Sequence, residues 1–511
     1  MTVVRVACPS SAEHADRPAL LGSTTITYGE IVQTADRMAA GLRTLGATVG
    51  DRVVIWMTKS AEYALAIIGV LNAGCVYVPV DGSHPPERVR SIVHDTEPIA
   101  IFTDLNHLGE LTDIPLPSSV KAVVIDAEDA RALSWTELRA RAERDMPAPE
   151  PATLTADDLA AILYTSGSTG APKGVQVSHR NLASFINWAR DEMDVGPGDV
   201  FANHASFNFD LSTFDLFVAL SVGAAVWIVE DEQARDAGAL AAGIREYEVT
   251  VWYSVPSILT MMASCGALTV EIARSLRYVL FAGEVYPKPR LRELLALLDP
   301  KTAVYNLYGP TETNVCTYHR LTAADRDDEG PLPIGLPVTG ATVHIVDPDT
   351  RTPADPLEEG ELVIEGDCVT PGYWRRESEA AAAHHARHLH FTGDLVGWVD
   401  GRLTYRGRKD RMVKVSGYRI ELGEIESVVL RHPLIEEAAV IVTDEGAAAR
   451  IALFYTARED SPPPSLLDLK SHCARYLPRY MVPRSAARVP ALPRNSNGKV
   501  DYRILAGRNR P

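Results

Sequence analysis

Short apolar runs of strand length alternate with longer helical stretches through most of the chain. Residues 52–56 precede 61–72, residues 249–254 precede 258–263, and 123–125, 224–229 and 278–281 are further compact apolar segments. This alternation predicts parallel β units flanked by helices, an α/β core. From Gly335 the pattern changes to short strands separated by Gly and Asp turns, at 343–346, 361–364 and 403–405. A smaller β-rich subdomain is expected over about 335–409. The most apolar run, 64–80, is interrupted by Asn72, Gly74 and Pro79. A membrane-spanning helix needs roughly twenty clean apolar residues, so this run predicts a buried helix leading into a strand. The Pro/Ala stretch 146–153 reads as a surface connection, and 213–220 as one apolar helix.

Composition narrows the class of protein. With 511 residues, 46% hydrophobic and 23% charged, the chain is an ordinary globular one of more than one structural unit. Its formal charge is −17, which argues against broad binding to nucleic acid or anionic membrane. The balance is uneven: residues 411–511 hold sixteen Lys and Arg against eleven Asp and Glu, a net +5, leaving −22 for the first 410. A small basic domain is therefore expected after a large acidic one. Six widely spaced cysteines, with no C-x-x-C pair, read as reduced thiols in a cytoplasm. The first thirty residues, with Glu13, Asp16 and Arg17, lack a signal-peptide pattern. His384, His385, His388 and His390 follow an Ala-rich stretch with no cysteine nearby, a weak case for a metal site.

Residues 163–174 read L-Y-T-S-G-S-T-G-A-P-K-G. Gly167 and Gly170 allow backbone N–H groups to approach anionic oxygens, Thr165, Ser166, Ser168 and Thr169 add hydroxyl donors, and Lys173 adds charge. Phosphate is the expected ligand. The loop is not the Walker pattern, because Pro172 precedes the lysine and no Ser or Thr follows it. It resembles the phosphate loop of the adenylate-forming enzymes, the group of acyl-CoA ligases, luciferases and the adenylation domains of nonribosomal peptide synthetases. Further segments resemble that family in the same order: Thr27-Tyr28-Gly29-Glu30, 71–79, Phe209-Asp210-Leu211-Ser212, Asn306 to Thr313, 360–374, Thr392-Gly393-Asp394, 407–426 and 492–499. They cover about the whole chain.

The resemblance implies a fold and a set of roles. The fold would be a large N-terminal domain of stacked mixed sheets with helices (1–409) and a small mobile α+β C-terminal domain (410–511), with the hinge at Asp410. The implied cofactors are ATP and Mg²⁺. Glu312 would hold the metal, Tyr308 would stack on adenine, and Asp394 would accept hydrogen bonds from both ribose hydroxyls. Gly283, Asn306, Gly309, Thr311, Tyr405 and Arg408 would complete the nucleotide site. Lys499 would bridge the substrate carboxylate and the α-phosphate, acting with Thr165, Lys173 and Glu312 in the chemistry. Lys414 and Gly417 would line the acceptor tunnel. Asn495, Tyr502, Met412 and Ser416 depart from the family's usual Thr, Arg, Gln and Arg.

Asp210 separates amino acids from simple carboxylic acids, because in amino-acid-activating relatives that Asp binds the substrate ammonium. A helix N-cap is its bland alternative. The implied pocket is Asp210, Leu211, Phe214, Tyr253, Leu280, Ala282, Leu307, Val315, Cys316 and Lys499. Only its first and last members are charged, so charged amino acids are disfavoured and alanine, valine and proline remain. The set is similar to that of freestanding L-prolyl-AMP ligases, which load proline onto a peptidyl carrier protein on the way to pyrrole-2-carboxyl groups. No carrier motif G-G-x-S follows Lys499, so a separate acidic carrier is expected, with the +5 domain as its docking face. The enzyme is expected to be a monomer. An acyl-CoA ligase and a non-catalytic nucleotide-binding protein are the competing classes.

Overall fold

The computed structural model describes residues 14–144, 153–166, 172–328, 330–350, 359–415, 417–443, 449–457, 463–494 and 500–508. The surface connection expected over 146–153 therefore falls almost wholly outside them. The chain divides into two compact units: Met1–Gly82 with Val93–Tyr164 and Gly174–Lys409, and Ser83–Ile92 with Thr165–Lys173 and Asp410–Pro511.

Two large sheets build the first unit. One has nine strands, and its interior runs parallel from Pro18–Leu21 through Ala225–Ile228, Val200–Asn203, Val251–Ser254 and Tyr278–Phe281 to Ala303–Tyr308. The other has eight, with Leu159–Thr165, Val76–Asp81, Arg52–Met57, Ala100–Thr103 and Ala122–Ile125 parallel at its centre. Strands such as Arg52–Met57, buried from Val53 to Met57, are apolar on both faces because helices cover both sides. The expected buried helix is Ala61–Asn72, started by Ser60, whose side chain accepts from the Tyr63 N–H, and all of Ala61 and 63–71 is buried. It leads into Val76–Asp81. Helix Tyr28–Thr44 opens with a capping box of Thr27 and Glu30, which satisfies two otherwise orphaned donors. A four-stranded antiparallel sheet of Ala341–Val346, Glu359–Gly366, Leu389–Val399 and Arg402–Arg408 forms the β-rich part.

The large parallel sheet positions the site. Asn203 pairs with Tyr253, Tyr253 with Leu280, and Phe281 with Asn306. These residues lie at the carboxyl ends of adjacent strands, where open α/β sheets bind ligands. The sequence suggests one helix over 213–220, but the chain forms a short α turn at Leu211–Thr213, a π-helix at Phe214–Val218 and another α turn at Ala219–Ser221. The wider π turn brings Phe214, Asp215, Leu216, Phe217 and Val218 all into the interior. Such turns recur at functional sites.

In the second unit Ile435–Thr443 and Arg450–Ala457 pair antiparallel, with Ser485–Arg488 parallel alongside. Helices Leu422–Val429 and Leu466–Ala474 pack Ile425, Val429, Leu469 and Cys473 into one core. A hairpin joins Met412–Val415 to Tyr418–Glu421, and Gly417 takes φ 79° there, a conformation that costs glycine little. Tyr502, one of the departures noted above, lies under the Arg411 guanidinium, 3.4 Å from its ring centroid, and its hydroxyl donates to Glu426 Oε1 at 3.3 Å. Among the described residues no helix is long and apolar enough to cross a membrane.

Candidate active site

Asp210 stands at the N-terminus of the first short turn but makes no side-chain capping hydrogen bond. The capping alternative is thus not realised, and the half-buried carboxylate borders a small cavity shared with Asn181, Thr213, Thr311, Asn314 and Cys368. Local hydrogen bonds fix its backbone. Thr213 Oγ1 donates to the Asp210 carbonyl at 2.6 Å and Ser212 Oγ to the Phe209 carbonyl at 2.6 Å. Asn314 Nδ2 donates to Thr213 Oγ1 at 3.1 Å.

Most of the expected pocket residues come together in one apolar cluster. Phe214, Tyr253, Leu280, Ala282, Leu307 and Val315 belong to it, with Leu211 packed against it. Phe214 meets Tyr253 edge-on at 5.3 Å. Cys316 is buried in a neighbouring cluster with Tyr308, and its Sγ lies 3.5 Å from the Tyr308 carbonyl. Burial raises the Tyr253 phenol well above its ordinary value, and the Asp210 and Asp215 carboxylates add to the rise, so the ring presents a neutral hydroxyl at neutral pH. The second carboxylate, Asp215, carried no signal in the sequence beyond a polar position in an apolar run.

Glu312 is almost fully buried, which disposes of a solvated turn residue, and its Oε1 accepts the Tyr373 hydroxyl at 2.6 Å. The turn before it depends on Gly309: a Cβ there would stand 1.5 Å from the Asn314 carbonyl oxygen. Among the described residues no three His, Cys, Asp or Glu side chains are grouped as a metal cage. One buried carboxylate is nevertheless what Mg²⁺ requires, since this ion keeps most of its shell as water and substrate phosphate. The histidine cluster forms a pair instead, with His385 Nε2 and His390 Nδ1 at 2.9 Å.

Asp394 is held from two sides. Arg408 Nη1 donates to its Oδ1 at 2.6 Å, and the Tyr308 hydroxyl donates to Oδ2. Each carboxylate oxygen keeps a second lone pair, so the group retains acceptor capacity for a vicinal diol. Burial, reinforced by Asp394, raises the Tyr308 phenol well above its usual range, so it remains a donor. The turn carrying Asp394 is braced by Glu361, fully buried, which accepts from the Gly393 N–H at 3.2 Å and pairs with Lys409. Asn306 Nδ2 donates to the Pro333 carbonyl at 2.7 Å, Gly283 takes φ 90°, and Tyr405 packs against the buried cluster that includes Tyr308. Tyr373 and Glu361 escaped notice in the sequence although both lie inside the quoted 360–374 segment; no motif logic attaches a role to a tyrosine before Trp374.

The remaining expected residues belong to the second unit. Ser166 Oγ donates to the Arg419 carbonyl at 2.7 Å and accepts from the Glu421 N–H at 3.1 Å. Thr165 and Lys173 are half-buried. The Asp410 carboxylate accepts from the Met412 N–H at 3.2 Å, which caps the start of the hairpin. Gly167, Ser168, Thr169, Gly170, Ser416 and Lys499 lie outside the described residues.

Asp210 and the apolar cluster of Phe214, Tyr253, Leu280 and Leu307 gather about the carboxyl ends of the parallel strands, Glu312 follows strand Ala303–Tyr308, and Asp394 stands in the antiparallel sheet, bonded to Tyr308 of that strand. The chain belongs to the AMP-binding enzymes of the adenylate-forming superfamily: residues 9–374 match the AMP-binding enzyme family and 424–499 the AMP-binding enzyme C-terminal domain. It is 56% identical to an L-proline--[L-prolyl-carrier protein] ligase of Streptomyces coelicolor, over 99% of this chain and 96% of that protein. A second protein of that name, from Pseudomonas fluorescens, is 40% identical over 94% of each chain. The fold aligns over the full length of both chains with an amide bond synthetase, McbA from Marinactinospora thermotolerans, at TM-score 0.86 and 20% identity.

Proposed function

We propose that this enzyme activates L-proline with ATP and passes the prolyl group to the phosphopantetheine thiol of a separate carrier protein. The observation that carries the reading is Asp210, a half-buried carboxylate whose charge reaches Tyr253 in the apolar cluster with Phe214, Leu280 and Leu307. One carboxylate pairs with a ring ammonium, and apolar walls suit a compact ring while leaving a charged side chain unpaired. The names of the two ligases support the same substrate, and both are matched over nearly their own full length.

In the first half-reaction a proline carboxylate oxygen attacks the α-phosphorus and the bond to pyrophosphate breaks. In the second the carrier thiolate attacks the carbonyl carbon of prolyl-AMP and AMP leaves. No protein nucleophile is needed; catalysis is positioning and charge stabilisation. Asp394, with Arg408 and Tyr308, holds the nucleotide, while Thr165 to Lys173 and Lys499 neutralise phosphate charge. Glu312 would hold Mg²⁺, which when bound would supply further neutralisation of phosphate charge. Asp410 is the pivot between the two half-reactions. The prolyl thioester feeds formation of pyrrole-2-carboxyl groups, which the likeness of the pocket to prolyl-AMP ligases supports. The test is amino-acid-dependent ATP–pyrophosphate exchange across the common amino acids and several simple carboxylic acids, followed by loading of a carrier. Strong exchange with L-proline is expected. Exchange only with an acid lacking an amine would overturn the role of Asp210.

A further inference from the structure

Behind the loop that carries Asp210 lies a buried charge cluster that none of the roles above uses. Lys59, at the end of the helix-capping turn before Ala61–Asn72, is 4% exposed. Its Nζ donates to two consecutive carbonyls at the carboxyl end of strand Val200–Asn203: Asn203 at 2.7 Å and His204 at 2.9 Å. The same ammonium lies 5.8 Å from the centroid of the Phe207 ring, three residues before Asp210. On the other side of the loop Asp215, 1% exposed in the π-helix, accepts from Asn203 Nδ2 at 3.3 Å. One lysine therefore ties the loop where it leaves the strand and again midway, and one carboxylate ties its far end back to the same asparagine.

We propose that Lys59, acting through Asn203, His204, Phe207 and Asp215, is a positioning residue that sets the amine-recognition loop 204–213 and with it the place of Asp210. The inference rests on the reading of Asp210 as the ammonium-binding group. A structural counter-ion alone would be an expensive arrangement. Burial weakens the ammonium and lowers Lys59 to about 8, against the pull of Asp231, Asp215 and Asp81, and burial raises Asp215 well above the usual carboxylate range despite Lys59. Two oxygens of the cluster, Asn203 Oδ1 and Asp215 Oδ1, are buried with no hydrogen-bond partner among the described residues. Replacing such a group of ions by apolar side chains is commonly neutral or stabilising. Its retention beside a π turn, with Tyr253 feeling both Asp210 and Asp215, fits a cost borne for geometry.

The test compares full-length Lys59→Met and Lys59→Arg in ATP–pyrophosphate exchange, measuring KM for L-proline, KM for ATP and kcat. Lys59→Met is expected to raise KM for proline by about tenfold or more, because a shift of the order of 1 Å in a binding group costs that much. KM for ATP should stay within about twofold, since nucleotide binding lies elsewhere, and Lys59→Arg, which keeps donors and charge, should recover most of the loss. Exchange with tetrahydrofuran-2-carboxylate, the proline isostere lacking the ammonium, should respond little to either substitution. Parallel rises in both KM values, an unchanged KM for proline, or an equal effect on the isostere would overturn the proposal. Should Lys59→Met not fold, Asn203→Ala, which cuts the link to Asp215, carries the same expectation and the same refutations. If the wild type exchanges with another amino acid, the proline reading fails and the comparison is made with that substrate, leaving the Lys59 claim judged separately.

Discussion

Replacing Asp210 by Asn keeps size and hydrogen-bonding capacity while removing the charge that meets the substrate ammonium. Breaking one partner of a fully buried ion pair costs about 3–5 kcal/mol. Asp210 is only half-buried, so solvent relieves part of that penalty, and about 2–3 kcal/mol is the reasonable expectation. At 1.4 kcal/mol per factor of ten, this corresponds to roughly a 30- to 150-fold fall in kcat/KM for proline. The assay is ATP–pyrophosphate exchange with L-proline and, in parallel, with tetrahydrofuran-2-carboxylate, whose ring oxygen carries no charge. The wild type should favour proline strongly, whereas Asp210→Asn should narrow the gap by losing activity on proline while changing the ether acid by less than about threefold. Thr213 Oγ1 and Ser212 Oγ bond to backbone carbonyls that the substitution leaves in place, so the loop should hold its shape; equal losses on both acids would place the effect outside amine recognition and refute the reasoning. No loss on proline would remove Asp210 from substrate recognition altogether.

Tyr373→Phe removes one hydroxyl from the buried Glu312 carboxylate, a charge-assisted bond of about 1.5–3 kcal/mol; a Mg²⁺ titration of exchange should show a weakened metal dependence with KM for proline unchanged, and an unaltered titration would contradict the assignment. Lys499→Ala should cripple adenylation while transfer from preformed prolyl-AMP is less affected, measured by exchange and by single-turnover carrier loading; equal loss of both would count against its role. Burial holds His179 down to about 4, against the opposing pull of Asp158. Its ordinary value is about 6.5, so the unfolded chain binds the extra proton first as pH falls. Stability from this residue is intact above about pH 6.5 and is lost as the pH falls toward 4, by at most about 3 kcal/mol. Chemical denaturation at pH 7 and pH 4.5 should show a smaller difference in His179→Gln than in the wild type; an identical difference would refute the assignment.

The parts of the fold that were legible are those in which one physical pattern dominates. Strand Tyr278–Phe281 and helix Ala61–Asn72 fall where the apolar runs lie, because segments buried on every side cannot admit polar residues. Beyond Gly335 the runs at 343–346, 361–364 and 403–405 fall within antiparallel strands, whereas Leu389–Val399, with its polar and glycine positions, carried no such signal. The π-helix was not legible, since the largely apolar run Phe214 to Val218 reads the same whether the turn is wound as α or as π. The inclusion of Ser83–Ile92 and Thr165–Lys173 in the second unit was also illegible, because local pattern does not reveal long-range partners.

Within the site, legibility divides along a physical line. The groups proposed to face a ligand, Asp210, Glu312 and Asp394, sit in motifs with recognisable spacing. The groups that hold them divide: Tyr308 and Arg408 on Asp394 belong to motifs of their own, whereas Tyr373 on Glu312, Glu361 on Gly393, and Lys59 and Asp215 on the loop before and after Asp210 carry no such signal. A supporting residue needs only the right atom at the right distance, and many positions in sequence can supply it. Its effect is nevertheless specific, because each brace reaches one ligand group. On the roles proposed above, Tyr373 and Glu361 brace the phosphate and ribose sides, whereas Lys59 and Asp215 brace the amine side. Substitutions in these two sets should therefore separate in which substrate's KM they move, even though all of them lie in the same unit and none is required to touch a substrate.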